Sequence, residues 1–173
     1  MTQELINALL SGIISVSIAF VILVITRFIV HKMFKTEYVS VNEIEKNGNI
    51  AVAIKNGSIY ISVAAAMVGV IASPLVQFID GITAMLFVII ASVVSDKIVF
   101  SSVDNTKEIG KGNISLALAE AGLFIGTGII AMASFTGEGP YISSIVFFAL
   151  GQIILILSIL AAEMAYKGLY LRR

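Results

Sequence analysis

Six polar or ionisable residues lie inside or at the edges of long apolar segments, where such side chains are rare and are functional candidates by default. They are Lys55, Asn56, Asp96, Glu120, Gln152 and Glu163. A charged side chain at membrane depth costs about 2.5 to 3.5 kcal/mol on insertion scales. These residues are therefore expected to form a polar network or a site for an ion or a lipid headgroup.

Lys55 and Glu120 are expected to pair with each other. Glu120 lies seven residues after Asn113, and Asn56 lies seven residues after Asn49, so Asn56 and Glu120 occupy matching positions two helical turns from an asparagine. Lys55 is one position away at the same depth, and a pair with Glu120 would remove most of the burial cost of both charges. Gln152, in the middle of the last apolar segment, predicts a hydrogen bond between helices.

A simpler interpretation is open for the same charges. Lys55, Asp96 and Glu163 could lie in the headgroup zone, solvated, and serve only to set the orientation of the chain. Asn49 and Asn113 also have two interpretations, since each follows a glycine and precedes an apolar helix. They can cap the helix, or the free amides of the helix N-terminus can bind an anion such as a lipid headgroup.

Small residues recur at a spacing that averages 3.5 in two of the apolar segments, which places them on one face of a helix. The first seam comprises Ala51, Ser58, Ser62 and Gly69, and the second comprises Ser115, Ala119, Gly122 and Gly126. Small residues allow helix backbones to approach closely in lipid. Both seams are predicted to be packing faces, against another helix or another protomer.

The elements that carry these residues are membrane helices. Hydrophobic residues make up 58% of the 173 residues and charged residues 13%, which is too apolar for a soluble domain of this size. Most of the uncharged stretches approach or exceed the roughly 20 residues needed to cross a bilayer. They cover residues 5–26, 56–79, 81–95, 121–137 and 139–162. The sequence predicts an all-α polytopic protein with five transmembrane helices in one membrane domain, residues 1–173.

The basic residues predict the orientation, because Lys and Arg in short loops are retained on the cytoplasmic side. All eleven fit on one side of the membrane. With the five stretches numbered as spans 1 to 5 in chain order, the basic residues lie between spans 1 and 2, between spans 3 and 4, and after span 5. The N-terminal tail and the turns between spans 2 and 3 and between spans 4 and 5 hold none. The N-terminus is therefore predicted outside and the C-terminus inside.

An internal repeat is visible when the segment from Asn49 is laid over the segment from Asn113. Both begin Asn-Ile and follow Gly48 or Gly112, and the two prolines, Pro74 and Pro140, fall near the two outer turns. The predicted units are residues 5–74 and 75–139, with a fifth helix at 141–170. Each unit crosses the membrane twice, so the repeat is parallel and differs from the inverted repeats of many transporters.

A polar loop at residues 43–49 has the sequence Glu-Ile-Glu-Lys-Asn-Gly-Asn. It runs into the pattern Asn-x-Ala-x-Ala, which is repeated later in the chain as Asn-x-Ser-x-Ala. This doubled motif resembles the YjfL-like family of bacterial inner-membrane proteins, whose domain has no known function. The resemblance covers residues 24–133. It implies a small multi-pass protein of the bacterial inner membrane, with a part in envelope stress beside membrane-remodelling partners. Ser58 departs from the family pattern, which has the glycine kept at Gly122, and the fifth span extends beyond the usual four.

Several function classes have no support in the residues. There is no cysteine and one histidine, so no metal or other cofactor is predicted. No nucleophile and base pair or phosphate loop is present, and an enzyme is not expected. The formal net charge is zero and the basic residues lie in membrane-proximal clusters, so nucleic acid is not an expected partner.

Two functions remain as hypotheses. The first is a non-enzymatic, oligomeric module that scaffolds partners or senses the state of the membrane or envelope through its cytoplasmic loops, residues 32–48 and 97–112, with lipids and a cytoplasmic membrane-stress protein as partners. The alternative is a small oligomeric ion channel or carrier that uses a ring of intramembrane charges near the cytoplasmic side. A pore wall normally carries polar residues from face to face, and no predicted span does so, which favours the first hypothesis.

Overall fold

The computed structural model describes residues 3–33, 48–70, 74–101, 103–135 and 141–170. In these ranges the regular structure is entirely helical. The helices are α1 (Gln3–Met33), α2 (Ile50–Gly69), α3 (Pro74–Val99), α4 (Asn105–Gly110), α5 (Ile114–Ser134) and α6 (Tyr141–Tyr170). Five of them, all but α4, are long and apolar enough to cross a membrane. The predicted all-α, multi-pass membrane protein is confirmed at this level.

The helices extend beyond the uncharged stretches of the sequence. The stretch 81–95 lies inside α3, which continues past Asp96 at one end and begins at Pro74 at the other, where a proline suits the first helical turn. Lys55 and Glu120 lie in the second turns of α2 and α5, inside the helices and not before them. The charged residues that bound the apolar stretches, Lys55, Asp96 and Glu120, are therefore parts of the helices.

Both α2 and α5 begin at an asparagine cap. The side chain of Asn49 accepts a hydrogen bond from the amide of Val52 at 3.2 Å. Asn113 accepts one from the amide of Leu116 at 3.1 Å. The preceding glycines have φ angles of 59° at Gly48 and 89° at Gly112, a left-handed conformation that glycine adopts without steric cost. Each Gly-Asn pair thus turns the chain and starts a spanning helix.

Helices α2 and α5 form the central pair of the bundle and have the most extensive contact of any two helices. Helix α3 packs against both of them, and also against α1 and α6. Helix α1 contacts α2 and α3, while α6 contacts α3 and α5. The short helix α4 packs against α2 and α5, and its first residue, Asn105, is hydrogen-bonded to Asp96 of α3. The central pair, α3 and α4 therefore determine the position of any buried site.

The core between these helices is apolar and includes a group of three phenylalanine rings that contact one another. The ring of Phe87 on α3 packs edge-on against Phe148 of α6, with centroids 5.6 Å apart. Phe135, just after α5, lies 6.0 Å from Phe87 and 6.1 Å from Phe148. The large apolar side chains of α1 and α6 are largely exposed, as expected of helices that face lipid.

The small-residue seam of α2 packs inside the molecule. Ser62 is fully buried, and its hydroxyl donates to the carbonyl of Phe124 on α5 at 2.6 Å. A Cβ on Gly128 of α5 would lie 2.6 Å from the Cα of Ser62. Farther along, a Cβ on Gly69 would lie 3.0 Å from the Cα of Met132. Ala51 and Ser58 are buried as well. Small residues therefore bring the backbones of α2 and α5 into direct contact.

The seam on α5 has a different environment. Ser115, Ala119 and Gly122 are exposed, and Gly126 is half-buried beneath Leu155 of α6. The buried face of α5 is another stripe of the same helix, which includes Ala117, Glu120, Phe124, Thr127, Gly128 and Ala131. The α2 seam thus packs against another helix of the chain, whereas most of the α5 seam does not, because α2 approaches α5 from a neighbouring face; packing of the α5 seam against another protomer stays a prediction.

Candidate functional site

A buried ion pair joins the two central helices. The Nζ of Lys55 on α2 lies 2.7 Å from Oε1 of Glu120 on α5, and the two side chains are 2% and 0% exposed. The pair predicted from the sequence is thus present. Two opposite charges taken out of water together are tolerated where each charge alone would be costly.

Asp96 brings a third charge to the pair. This residue is in the last turn of α3, half-buried, and its carboxyl group neighbours that of Glu120. Asp96 Oδ1 also accepts a hydrogen bond of 2.7 Å from Nδ2 of Asn105, the first residue of α4. Four helices therefore contribute one side chain each to a single group, which we call the polar cluster: Lys55, Asp96, Asn105 and Glu120.

The polar cluster has spare capacity to accept hydrogen bonds. Apart from the contact with Lys55, neither oxygen of Glu120 accepts a hydrogen bond from the described part of the chain. The same holds for Oδ1 of Asn105, whose side chain is 6% exposed. Buried polar atoms are normally satisfied, so unused acceptors mark a place where a further group could bind. Within the described ranges, no three His, Cys, Asp or Glu side chains come together as metal ligands.

Helix α4 covers the end of the bundle next to the polar cluster. The Nδ2 of Asn49 donates to the carbonyl oxygens of Ile109 at 3.2 Å and Gly110 at 2.9 Å, at the C-terminal end of α4. Ile109 is fully buried, in a small apolar group with Ala51, Val52 and Ala117. At the other end of α4, Asn105 binds Asp96. Hydrogen bonds at both ends and a buried side chain in the middle thus fix this short helix to the spanning helices.

The other residues of the predicted network lie elsewhere. Gln152 Oε1 on α6 accepts a hydrogen bond of 3.2 Å from the hydroxyl of Thr127 on α5, which is the bond between helices expected of a mid-span glutamine. Thr127 is seven residues beyond Glu120, about 10 Å along the helix. Glu163 is exposed on α6, and Asn56 is half-buried beside Lys55 on α2. The predicted network is therefore divided into the polar cluster, a separate Thr127–Gln152 pair, the half-buried Asn56 and the exposed Glu163.

Two residues of these groups were missed in the sequence. Asn105 lies in a polar loop, where an asparagine is ordinarily a turn residue, and only the preceding Asp104, which caps α4, indicates a helix there. Thr127 had a clearer signal, because a spacing of seven from Glu120 places both on one helix face.

Asn49 and Asn113 both form the helix caps that their sequence context favours. They lie near a shallow recess lined by Gly48, Asn49, Lys111 and Gly112, where the N-termini of α2 and α5 meet the end of α4. Lys111 is exposed and pairs with Glu108 at 2.6 Å. Capping accounts for both asparagines, and the anion site stays a prediction.

Comparison with known proteins identifies the chain at the level of its family. The family model described as Domain of Unknown Function (DUF350) matches residues 4–135, and a second, overlapping match covers residues 79–171. No match is found among curated proteins or among solved structures. The first match alone covers more than half of the chain and contains the whole polar cluster. The chain therefore belongs to the DUF350 family, whose domain has no known function.

Proposed function

We propose that this protein is a non-enzymatic, oligomeric module of the bacterial inner membrane, which scaffolds partners or senses the state of the membrane or envelope and presents the result at its cytoplasmic face. The observation that carries the proposal is the attachment of α4 to the polar cluster through the hydrogen bond between Asn105 and Asp96.

The attachment of α4 provides a physical route between membrane and cytoplasm. Asp96 is on α3, Asn49 caps α2, and Ile109 packs between α2 and α5, so a relative movement of these helices would move α4 with them. Helix α4 is part of the loop 97–112, one of the two predicted contact surfaces. The other, residues 32–48, lies mostly outside the described residues. A cytoplasmic membrane-stress protein that contacts α4 is the proposed partner.

The proposed topology has the N-terminus outside and the C-terminus inside, with parallel units at residues 5–74 and 75–139 and the fifth helix at 141–170. The similar geometry of the Gly-Asn caps that begin α2 and α5 supports the repeat. Because the chain has no cysteine, single cysteines can report the orientation. We expect Glu138→Cys to react with a membrane-impermeant maleimide in intact spheroplasts, and Ser101→Cys to react only after permeabilisation. The reverse result would contradict the orientation.

The exposed seam of α5 supports oligomer formation. Ser115, Ala119 and Gly122 have the register of the α2 seam that is buried inside the molecule, yet they are exposed in the single chain. We propose that this face contacts a second copy. Gly122→Cys should then form cross-linked dimers on mild oxidation, while Leu157→Cys, on a lipid-exposed part of α6, should not. Equal cross-linking of the two variants would indicate random collision and no specific interface.

A second candidate is an ion channel or carrier, which the ionisable groups of the polar cluster favour. Against a continuous path, Leu123 and Phe124, each 1% exposed, lie between the cluster and the next polar pair at Thr127. Hydrophobic constrictions do occur as gates in channels, so these two residues do not by themselves exclude a channel. The two candidate functions predict different results in a flux experiment.

The experiment that tests the proposed function measures ion and proton flux in proteoliposomes that contain the purified protein. We expect liposomes with the wild-type protein to remain as tight as empty ones under ion and proton gradients. Glu120→Gln and the exposed-site control Glu163→Gln should be equally tight. Flux that Glu120→Gln alters and Glu163→Gln does not would establish the channel or carrier and overturn the scaffold.

A further inference from the structure

The Lys55–Glu120 ion pair is shielded from solvent although it lies close to the ends of its two helices. Its side chains are 2% and 0% exposed. Toward the middle of the bundle, Leu123 and Phe124 lie one turn beyond Glu120, and each is 1% exposed. In the other direction, less than two turns of α2 and α5 precede the pair. The shielding therefore depends on what covers these first turns.

Helix α4 covers the first turns of α2 and α5 with the side chain of Ile109. This side chain is fully buried and packs with Val52 of α2 and Ala117 of α5. Val52 precedes Lys55 by three residues, so both lie on one face of α2, with Val52 one turn nearer the helix end. Ala117 has the same relation to Glu120 on α5. Ile109 therefore closes the gap between α2 and α5 in the layer next to the ion pair.

The attachment of α4 can be broken without loss of the spanning helices. A helix of six residues has little stability of its own, so its position depends on its contacts with the bundle. Asn105 holds one end of α4 through Asp96, and Nδ2 of Asn49 holds the other. The cap of α2 uses a different atom of Asn49, Oδ1, which accepts from the amide of Val52. Helix α2 therefore keeps its cap when α4 is released.

From this packing we propose that α4 is a lid that controls the access of water to the Lys55–Glu120 pair. With α4 bound, Ile109 excludes water, and the two charges attract each other at an effective dielectric constant of about 20. With α4 released, water reaches the pair, and at a dielectric constant of about 80 the attraction is about fourfold weaker. Release of α4 thus loosens the charged contact between α2 and α5, and by reciprocity a separation of α2 from α5 favours release of α4. The lid requires no partner, so it does not depend on the proposed scaffold function.

The rate of thiol modification beneath the lid tests the proposal, because the chain has no cysteine of its own. Ala117→Cys places a small thiol under Ile109, and the control Lys107→Cys places one on the exposed surface of α4. In nanodiscs, we expect a charged methanethiosulfonate reagent to modify Ala117→Cys at least about tenfold more slowly than Lys107→Cys. Asn105→Ala removes the bond to Asp96 and should raise the rate at Ala117→Cys about tenfold, as expected from the loss of one hydrogen bond to a charged group. The rate at Lys107→Cys should not change.

Two results would overturn the proposal. Equal rates for Ala117→Cys and Lys107→Cys, with α4 attached as in the wild type, would show that Ile109 does not exclude water. Protection of Ala117→Cys that persists in both Asn105→Ala and Asn49→Ala, while circular dichroism shows native helix content, would show that the spanning helices and not α4 shield the pair. Neither result changes the flux expected of the proteoliposomes, so failure of the lid is distinguishable from failure of the proposed function.

Discussion

Loss of the lysine from the polar cluster should destabilise the protein more than loss of its partner Glu120. At 2.7 Å, Lys55 and Glu120 attract each other by about 6 kcal/mol at an effective dielectric constant of about 20. Desolvation offsets much of this attraction, and removal of one member of a buried pair typically costs about 3 to 5 kcal/mol. The third member of the cluster makes the two single variants unequal.

Lys55→Met leaves Asp96 and Glu120 side by side without a cation, so we expect the full cost of about 3 to 5 kcal/mol in the free energy of unfolding. Glu120→Gln removes the attraction to Lys55 and, with it, the repulsion between Glu120 and Asp96. For this variant we expect a smaller cost, about 1 to 3 kcal/mol. The double variant removes both charges of the pair and should be less destabilised than Lys55→Met alone, because it leaves no carboxylate of Glu120 buried without its partner.

The free energies can be measured by unfolding the purified protein in mixed micelles with increasing SDS, followed by circular dichroism. A double-mutant cycle then gives the coupling between the two side chains. The reasoning is refuted if Glu120→Gln is as destabilising as Lys55→Met, because repulsion between Asp96 and Glu120 would then make no difference between the two variants. A double variant that is as unstable as Lys55→Met would refute the pairing itself.

Two further predictions use matched pairs of residues. Gly128→Ala places a Cβ 2.6 Å from the Cα of Ser62, which is 0.8 Å short of ordinary contact, so α2 and α5 must separate. It should cost about 1 to 3 kcal/mol, while Gly122→Ala, with open space around its Cα, should be neutral or stabilising in the same SDS titration. Equal effects would contradict the close approach. Asn49→Ala should lower the thermal midpoint more than Asn113→Ala, because Asn49 caps α2 and also donates to two carbonyls of α4. The opposite order would indicate that the bonds to α4 add no stability.

The elements of the fold were predictable because lipid imposes long uncharged segments, and the asparagine caps followed from their position after glycine. The Lys55–Glu120 pair was predictable for a physical reason, since two opposite charges at the same depth have few other partners. The contact of Asp96 with Asn105 was not, because it joins a spanning helix to a loop residue nine positions later, and nothing in the loop composition indicates that α4 folds back.

The α5 seam shows where periodicity alone is insufficient. A regular spacing of small residues identifies a helix face but not its neighbour, and α2 packs against the adjacent face of α5, which carries Phe124 and Gly128. The position of Glu163 was equally undetermined, because a glutamate near the end of a span can face the bundle or the headgroups. The structure places it on the exposed surface of α6.

The position of the polar cluster along the bundle has an electrical consequence. Lys55 is five residues from the start of α2, or about 7.5 Å along the helix axis. If a hydrocarbon core of roughly 30 Å begins where α2 begins, this distance is about a quarter of its thickness. One elementary charge that crosses the entire membrane gains about 2.3 kcal/mol per 100 mV. An ion that reaches the cluster from the α4 end would gain only about 0.6 kcal/mol from the same field. Occupancy of the cluster would thus follow the chemistry of the adjoining water and depend little on the membrane potential.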